Sequence, residues 1–157
     1  MSTNSPMDVL VIGAGPSALS IAAALGQEKL KVGLLSLNDP SDPWPYTYGI
    51  WGEEVDELGF ENLLKHRWSN TVSFLGEGST DKNSPNNQAT RHNRDYGLFD
   101  KKKLQEHWLN QCKDTSVNLF RGKANKFEIN KVNSTVITSD GKRLASKLIV
   151  DATGYDP

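Results

Sequence analysis

Cysteine is nearly missing from the chain, and the one present, Cys112, excludes an internal disulfide and a cysteine-rich metal site. The histidines are as sparse: His66, His92 and His107 lack the i, i+4 spacing that sets two imidazoles on one helix face, so no metal is expected. Charge of neither sign dominates, since 18 Lys and Arg against 19 Asp and Glu leave a net charge of −1. A balance of that kind argues against nucleic acid as a partner. No apolar run reaches the roughly 20 residues of a spanning helix, so any membrane contact is peripheral. Residues 9–25 are apolar enough to imitate a signal-peptide core, but the one charged residue before them is the acid Asp8, with no Lys or Arg. The chain also has no Gly-x-Ser-x-Gly elbow and no Walker loop ending in Gly-Lys-Ser/Thr. No sequence repeats occur. At 157 residues and 36% hydrophobic, there is material for one core, and the lone thiol is compatible with a reducing, cytosolic setting.

What the chain does have is concentrated near its start. The apolar run Val9-Leu10-Val11-Ile12 leads into Gly13-Ala14-Gly15-Pro16-Ser17-Ala18, an apolar-rich segment continues from Ser17 to Leu25 and breaks at Gly26, and a second apolar run covers Lys31 to Leu37. Strand, tight turn, helix and parallel strand make one βαβ unit of about thirty residues. The small residues divide the mechanical work, since Gly13 makes the turn, Gly15 lets backbone approach a pyrophosphate, and Ala18 lets helix pack closely on strand. The helix N-terminus, with Ser17 in its first turn, offers unpaired N–H groups and a positive dipole end to the phosphates. Pro16 suits that turn because its missing donor costs nothing there. An acid normally closes the second strand and takes the ribose hydroxyls; Ser36 stands at that place, with Asn38 and Asp39 just beyond.

Beyond the βαβ unit the composition shifts. Asp39 to Pro45 holds three prolines in seven residues, which forbids helix, and Trp44, Tyr46, Tyr48 and Trp51 follow within eight residues. The aromatics read either as anchors under a surface loop or as an apolar wall beside a cofactor or elongated ligand. A helix is predicted over Glu53 to His66, its acidic start (Glu53, Glu54, Asp56, Glu57) being either ordinary dipole compensation or a catalytic pair. Trp68 to Leu75 reads as a weak strand, and 76–95 as a flexible loop with Ala89 its one hydrophobic residue. Asp100 is a good N-cap for a helix from Lys101 to Lys113 with a Leu104, Trp108, Cys112 stripe. Its three opening lysines oppose the dipole, as a solvated face or as partners for a bound phosphate. Short strands are predicted at Val117–Phe120, Lys126–Ile129, Thr135–Thr138, Arg143–Ser146 and Leu148–Val150, with Asp140-Gly141 as a hairpin turn. The chain then ends on Asp151-Ala152-Thr153-Gly154 and three further residues, which reads as a truncation.

The order βαβ, loop, helix, strand, meander, then Ile149-Val150-Asp151-Ala152-Thr153-Gly154 resembles the FAD-binding fold of glutathione-reductase-type flavoproteins: a Rossmann-like parallel sheet with an antiparallel meander. The resemblance implies that Thr153 and Gly154 face FAD alongside the first turn. Trp44-Pro45, Tyr48-Gly49-Ile50-Trp51, Trp68-Ser69, Tyr96-Gly97-x-x-Asp100 and Asp151-Ala152-Thr153-Gly154-Tyr155 narrow it to lycopene cyclases of the plant and cyanobacterial type, from Asp8 to the end. Two positions depart: Ser36 replaces the expected acid, and Lys101 replaces an arginine, keeping the charge without the bidentate fork.

The resemblance implies reduced FAD, with NAD(P)H as reductant, and lycopene as substrate, cyclised to β or ε rings without net redox change. It implies an enzyme peripheral to a membrane, cytoplasmic or on a plastid or cyanobacterial membrane. Gly13, Gly15, Pro16, Ser17, Ala18, Ser36, Lys101, Thr153 and Gly154 are then the cofactor-binding candidates, and Trp44, Tyr48 and Trp51 line the substrate. Glu54 is the catalytic candidate within the chain, the main acid lying past Pro157, so that the 157 residues alone do not turn over. The expected layout is a tail over 1–7 and the FAD-binding portion over 8–157. Other readings are a geranylgeranyl-reductase-like or monooxygenase-like flavoprotein, or a non-catalytic dinucleotide-binding module.

Overall fold

In the computed structural model, residues 6–74 and 89–154 are described. The chain divides into two compact units, one formed by Met1–Trp44 with Leu104–Pro157 and the other by Pro45–Lys103. Strand β1 (Met7–Ile12) runs into helix α1 (Pro16–Gln27) and returns as β2 (Val32–Ser36). The second unit holds β3 (Gly49–Trp51), α2 (Gly52–Leu58), a 3-10 turn (Glu61–Leu63), β4 (Leu64–Trp68), β5 (Val72–Phe74), β6 (Ala89–Arg91) and β7 (Tyr96–Phe99). Helix α3 (Lys101–Asp114) follows, then β8 (Asn118–Arg121), β9 (Ala124–Ile129), β10 (Ser134–Thr138) and β11 (Arg143–Asp151).

The first unit is one six-stranded sheet in the order β8-β2-β1-β11-β10-β9. Its β8, β2, β1 and β11 are mutually parallel, while β10 and β9 add an antiparallel meander. This is the Rossmann-like sheet with a meander expected from the sequence. All five residues of β2 are buried, as an unbroken apolar run in a two-sided parallel sheet requires. One buried cluster joins Met7, Leu10, Ile12, Leu35, Val136 and Leu144. On the alternate positions Val9, Val11 and Leu34 are buried as well, since α1 packs on β1 and β2.

Four expectations are corrected. Gly26 does not break the first helix but lies inside it, where a Cβ would come within 2.4 Å of Thr115 Oγ1: it is a glycine for packing. The helix expected over Glu53 to His66 stops at Leu58, because Gly59 adopts the left-handed conformation that ends helices, and Leu64–Trp68 becomes a strand. Within the loop expected over 76–95, Ala89–Arg91 is a strand paired with Val72–Phe74; residues 76–88 lie outside the described part. Arg143–Ser146 and Leu148–Val150 are one nine-residue strand. At Ser146 that strand has Ser134 of antiparallel β10 on one side and Met7 of parallel β1 on the other. Asp140-Gly141 forms the turn expected between β10 and β11, with Gly141 donating to the Thr138 carbonyl.

In the second unit, β3, β7 and β4 form an antiparallel sheet. Among the described residues no helix is long and apolar enough to cross a membrane.

Candidate functional site

The first unit places two turns side by side at the carboxyl edge of its parallel strands. In register, Ile12 lies between Leu35 and Asp151. The Gly13 amide donates to the Leu35 carbonyl and the Ala152 amide to the Ile12 carbonyl, each at 2.9 Å, so both neighbouring strands fasten the turn. Here the order reverses: β1 leads by α1 to β2 on one side, while β11 arrives on the other. Open α/β sheets hold their ligands at such a point.

Gly13 has φ +134°, and a Cβ there would sit 2.5 Å from the Ala152 carbonyl oxygen and 3.2 Å from Ala18 Cβ. The sharp turn and the fully buried Ala18 are therefore one packing feature. Gly15 is the N-cap of α1 in an extended conformation, and a Cβ there would meet nothing within 4 Å. Pro16 follows in the first turn, which carries no acid to repel an anion. Ser17 and Ile21 of α1, Asp151 at the end of β11, and Ala152 and Gly154 after it line a cleft of about 460 Å³. Open space over Gly15, a helix N-terminus without acids and a second glycine turn across the cleft fit the diphosphate of a dinucleotide. Thr153 is held by Asp151, whose Oδ1 accepts its amide at 3.1 Å and its hydroxyl at 2.7 Å.

Ser36 is buried, and its hydroxyl donates to the Asn38 carbonyl at 2.6 Å, leaving its lone pairs to accept from a ribose hydroxyl. Asp39 accepts the Ser41 amide and hydroxyl at 2.9 and 2.6 Å, and these bonds hold its carboxyl below the usual carboxylate range. The same loop carries Trp44, 6% exposed, whose indole N–H donates to the Ala14 carbonyl of the glycine turn at 2.7 Å. Gln105 of α3, also 6% exposed, donates from Nε2 to the Pro40 and Asp42 carbonyls at 2.7 and 2.8 Å.

The second unit joins the aromatic blocks. Trp51, Tyr96 and Trp68 stand opposite one another across β3, β7 and β4. Trp51 and Tyr96 meet edge to face with centroids 5.2 Å apart, and the ring of Tyr96 lies over Gly49, where a Cβ would collide with it. Tyr48 is half-buried, and burial pushes its phenol above the usual range. Arg94 stacks its guanidinium 4.5 Å from the Trp51 ring centroid and bonds Glu53 at 2.9 Å and Glu54 at 3.4 Å. Arg67 grips Asp56 with two N–H groups, at 2.6 and 2.9 Å, and Asp95 with a third at 3.0 Å. These bonds raise the arginine and hold the Asp56 carboxyl below its usual range.

Lys101 opens α3, where Asp100 Oδ1 caps the Lys102 and Lys103 amides at 3.1 and 3.3 Å. Among the described residues no group of three or more His, Cys, Asp or Glu could hold a metal ion. Gln105, Arg94 and Arg67 were not anticipated, because their partners lie between 11 and 65 residues away and no local pattern announces them.

The family model described as lycopene cyclase protein matches residues 8–156. A lycopene beta cyclase of Synechococcus elongatus is 47% identical over 148 residues, covering 94% of this chain and 34% of that protein. A chloroplastic neoxanthin synthase of Solanum lycopersicum is 32% identical over 154 residues, covering 98% and 29%. The chain thus spans about a third of the length of the curated relatives it matches. Among solved structures, the halogenase PltM in complex with ethyl mercury and mercury superposes with a TM-score of 0.71 at 15% identity, covering 96% of this chain and 36% of that one, a likeness of fold.

Proposed function

The chain belongs to the lycopene cyclase family, and on that premise we propose that it forms the FAD-binding portion of an enzyme that closes the linear end groups of lycopene into β or ε rings. The observation that carries this is the meeting of the Gly13 and Ala152 turns at the carboxyl edge of the parallel strands, where a Cβ on residue 13 would lie 2.5 Å from the Ala152 carbonyl oxygen. A single glycine turn suits any dinucleotide; a second one at the end of β11 suits FAD in a flavoprotein fold.

Gly15 and Ser17 face the diphosphate on a turn shaped by Gly13, Pro16 and Ala18, Thr153 and Gly154 close on it, and Ser36 accepts from the ribose. Reduced with NAD(P)H as the donor, bound FAD supplies an electron-rich surface that stabilises positive charge without net electron transfer.

The reaction is an isomerisation. A protein acid adds a proton to a terminal double bond of the polyene, a neighbouring alkene attacks the resulting carbocation, and loss of a proton fixes the ring type. Such a cation calls for a dry, electron-rich lining. Tyr48 and Trp51 supply aromatic surface, whereas Trp44, buried and bonded to the Ala14 carbonyl, belongs to the glycine turn, and the face of Trp51 already accommodates a positive group in Arg94. Glu54, which accepts from Arg94, is the carboxylate candidate within the chain. An insoluble carotenoid substrate puts the enzyme at a membrane surface, bacterial or plastid, as a peripheral protein.

The test is turnover of lycopene in liposomes by the full-length protein with FAD and NAD(P)H under anaerobic conditions. Cyclic carotenes of unchanged mass without stoichiometric NAD(P)H oxidation are expected. Product of altered mass, formed one-to-one with NAD(P)H, would instead make the protein a reductase or monooxygenase. FAD binding with no turnover would leave a dinucleotide-binding module.

A further inference from the structure

The peptide joining Ala14 to Gly15 is planar and trans, so its carbonyl and its N–H point in opposite directions. The carbonyl accepts the Trp44 indole N–H at 2.7 Å. That bond therefore directs the Gly15 N–H to the side away from Trp44, and a Cβ on Gly15 would meet nothing within 4 Å. Gly15 in turn starts α1 by accepting the Leu19 amide at 3.1 Å. The orientation of one peptide plane thus decides whether the turn presents a donor or an acceptor to an anion.

Trp44 is well placed to hold that plane. It is buried, its rigid bicycle has few rotamers to lose, and it comes from a loop that is itself held. Gln105 ties two carbonyls of the loop, Pro40 and Asp42, while Asp39 and Asp42 are joined within it, the Asp39 amide donating to Asp42 Oδ2 at 3.1 Å. A buried glutamine donating both its amide hydrogens to one loop fixes the backbone that delivers Trp44.

We propose that Trp44 is a positioning residue for the diphosphate of the bound dinucleotide, with Gln105 holding the loop from which it acts. Trp44 need not touch the cofactor; it sets the Gly15 N–H that does. The proposal rests on the reading of the glycine turn as the FAD site and adds a residue 30 positions away from the turn.

The experiment compares full-length wild-type protein with Trp44→Phe, which keeps an aromatic ring and removes the N–H, and with Gln105→Leu. The readouts are the FAD dissociation constant by flavin fluorescence and the phosphorus NMR shifts of the bound diphosphate. A merely structural tryptophan would lower the melting temperature and leave both readouts of the folded variant in place. Trp44→Phe is expected to weaken FAD binding about tenfold, as for a buried carbonyl left without its donor, and to displace the diphosphate resonances. A folded Trp44→Phe protein with wild-type affinity and unshifted resonances overturns the proposal while leaving the FAD reading intact. Should Trp44→Phe not fold, Gln105→Leu decides: a loss of about threefold with shifted resonances supports the proposal, and wild-type behaviour overturns it. Wild-type protein that does not bind FAD fails the FAD reading itself, and the proposal with it.

Discussion

Gly13 and Gly15 stand two residues apart in one motif and are glycines for different reasons, which makes them separable by mutation. At Gly13 the backbone has φ +134° and a Cβ would lie 2.5 Å from the Ala152 carbonyl oxygen, so the restriction is internal to the fold. Gly13→Ala is expected to cost about 3 kcal/mol or more of stability, from backbone strain and overpacking together, read as a lowered urea midpoint. At Gly15 the backbone is extended and its surroundings open, so the restriction is external: the space belongs to the ligand. Gly15→Val should hold the urea midpoint to within about 1 kcal/mol of wild type while FAD affinity falls about a hundredfold or more. A Gly15→Val protein that binds FAD normally would remove the cofactor from this turn. The sequence made both glycines visible, since a strand, a turn and a helix in succession suffice to place them. It did not make Trp44 legible as their partner. The composition left two readings open, anchors under a surface loop or an aromatic wall, and whether an indole N–H meets a given carbonyl depends on a loop path that no periodicity encodes.

At the scale of elements, legibility followed how local the deciding interaction is. The βαβ unit, the Asp100 cap and the Asp140-Gly141 hairpin are written in residues within a few positions of one another, and all three appear where expected. The length of β11 is not local: its first part pairs with β10 across the adjacent hairpin, but from Ser146 to Asp151 it is carried on by β1 at the other end of the chain. Gly26 is the same lesson in a helix. Read alone it is a breaker, yet α1 continues through it, and the residue is a glycine because Thr115 and Val117 occupy the space a side chain would need. Gly26→Ala gains about 1 kcal/mol of helix propensity, and it meets Thr115 Oγ1 at 2.4 Å and Thr115 Cβ at 2.8 Å. Overpacking against a β-branched residue outweighs that gain, so a net destabilisation of about 1–2 kcal/mol is expected in urea titration. In a Thr115→Gly background the sign should reverse. Equal effects in both backgrounds would mean that the contact with Thr115 does not decide the residue at 26.

For the whole molecule, the sequence reads as one FAD-binding portion over 8–157, whereas the chain divides into two units. The passage out of the first unit coincides with the proline-rich segment ending at Trp44-Pro45, an open compositional break, whereas the return between Lys103 and Leu104 lies inside the continuous helix α3, where composition does not change. Each unit carries carboxylates tied between its elements. In the first, Asp8 at the start of β1 accepts the Lys31 amide ahead of β2 at 2.8 Å and the Lys147 ammonium of β11 at 2.7 Å, so one side chain gathers three parallel strands. Glu128 accepts from Arg143 across the meander and from Lys126 of its own strand, and in the second unit Asp56 of α2 accepts from Arg67 of β4. Donated hydrogen bonds hold all three carboxyls below their ordinary range in the folded state. A carboxyl depressed on folding contributes stability that is complete above its unfolded pKa and disappears as the pH falls through the lower folded value. The melting temperature should therefore be nearly level from neutrality to about pH 5 and fall steeply below about pH 4. Asp8→Asn should melt below wild type at pH 7, with the gap closing as wild type is acidified, because a protonated carboxyl and an amide at that position are both uncharged. These groups are solvent-accessible, so high salt should narrow the neutral-pH gap as well. Thermal melts of the two proteins from neutral pH down to about pH 2.5, at low and high salt, make the comparison. A gap that persists undiminished at the acid end would mean that the shape of the Asp8 side chain, and not its charge, holds the three strands together.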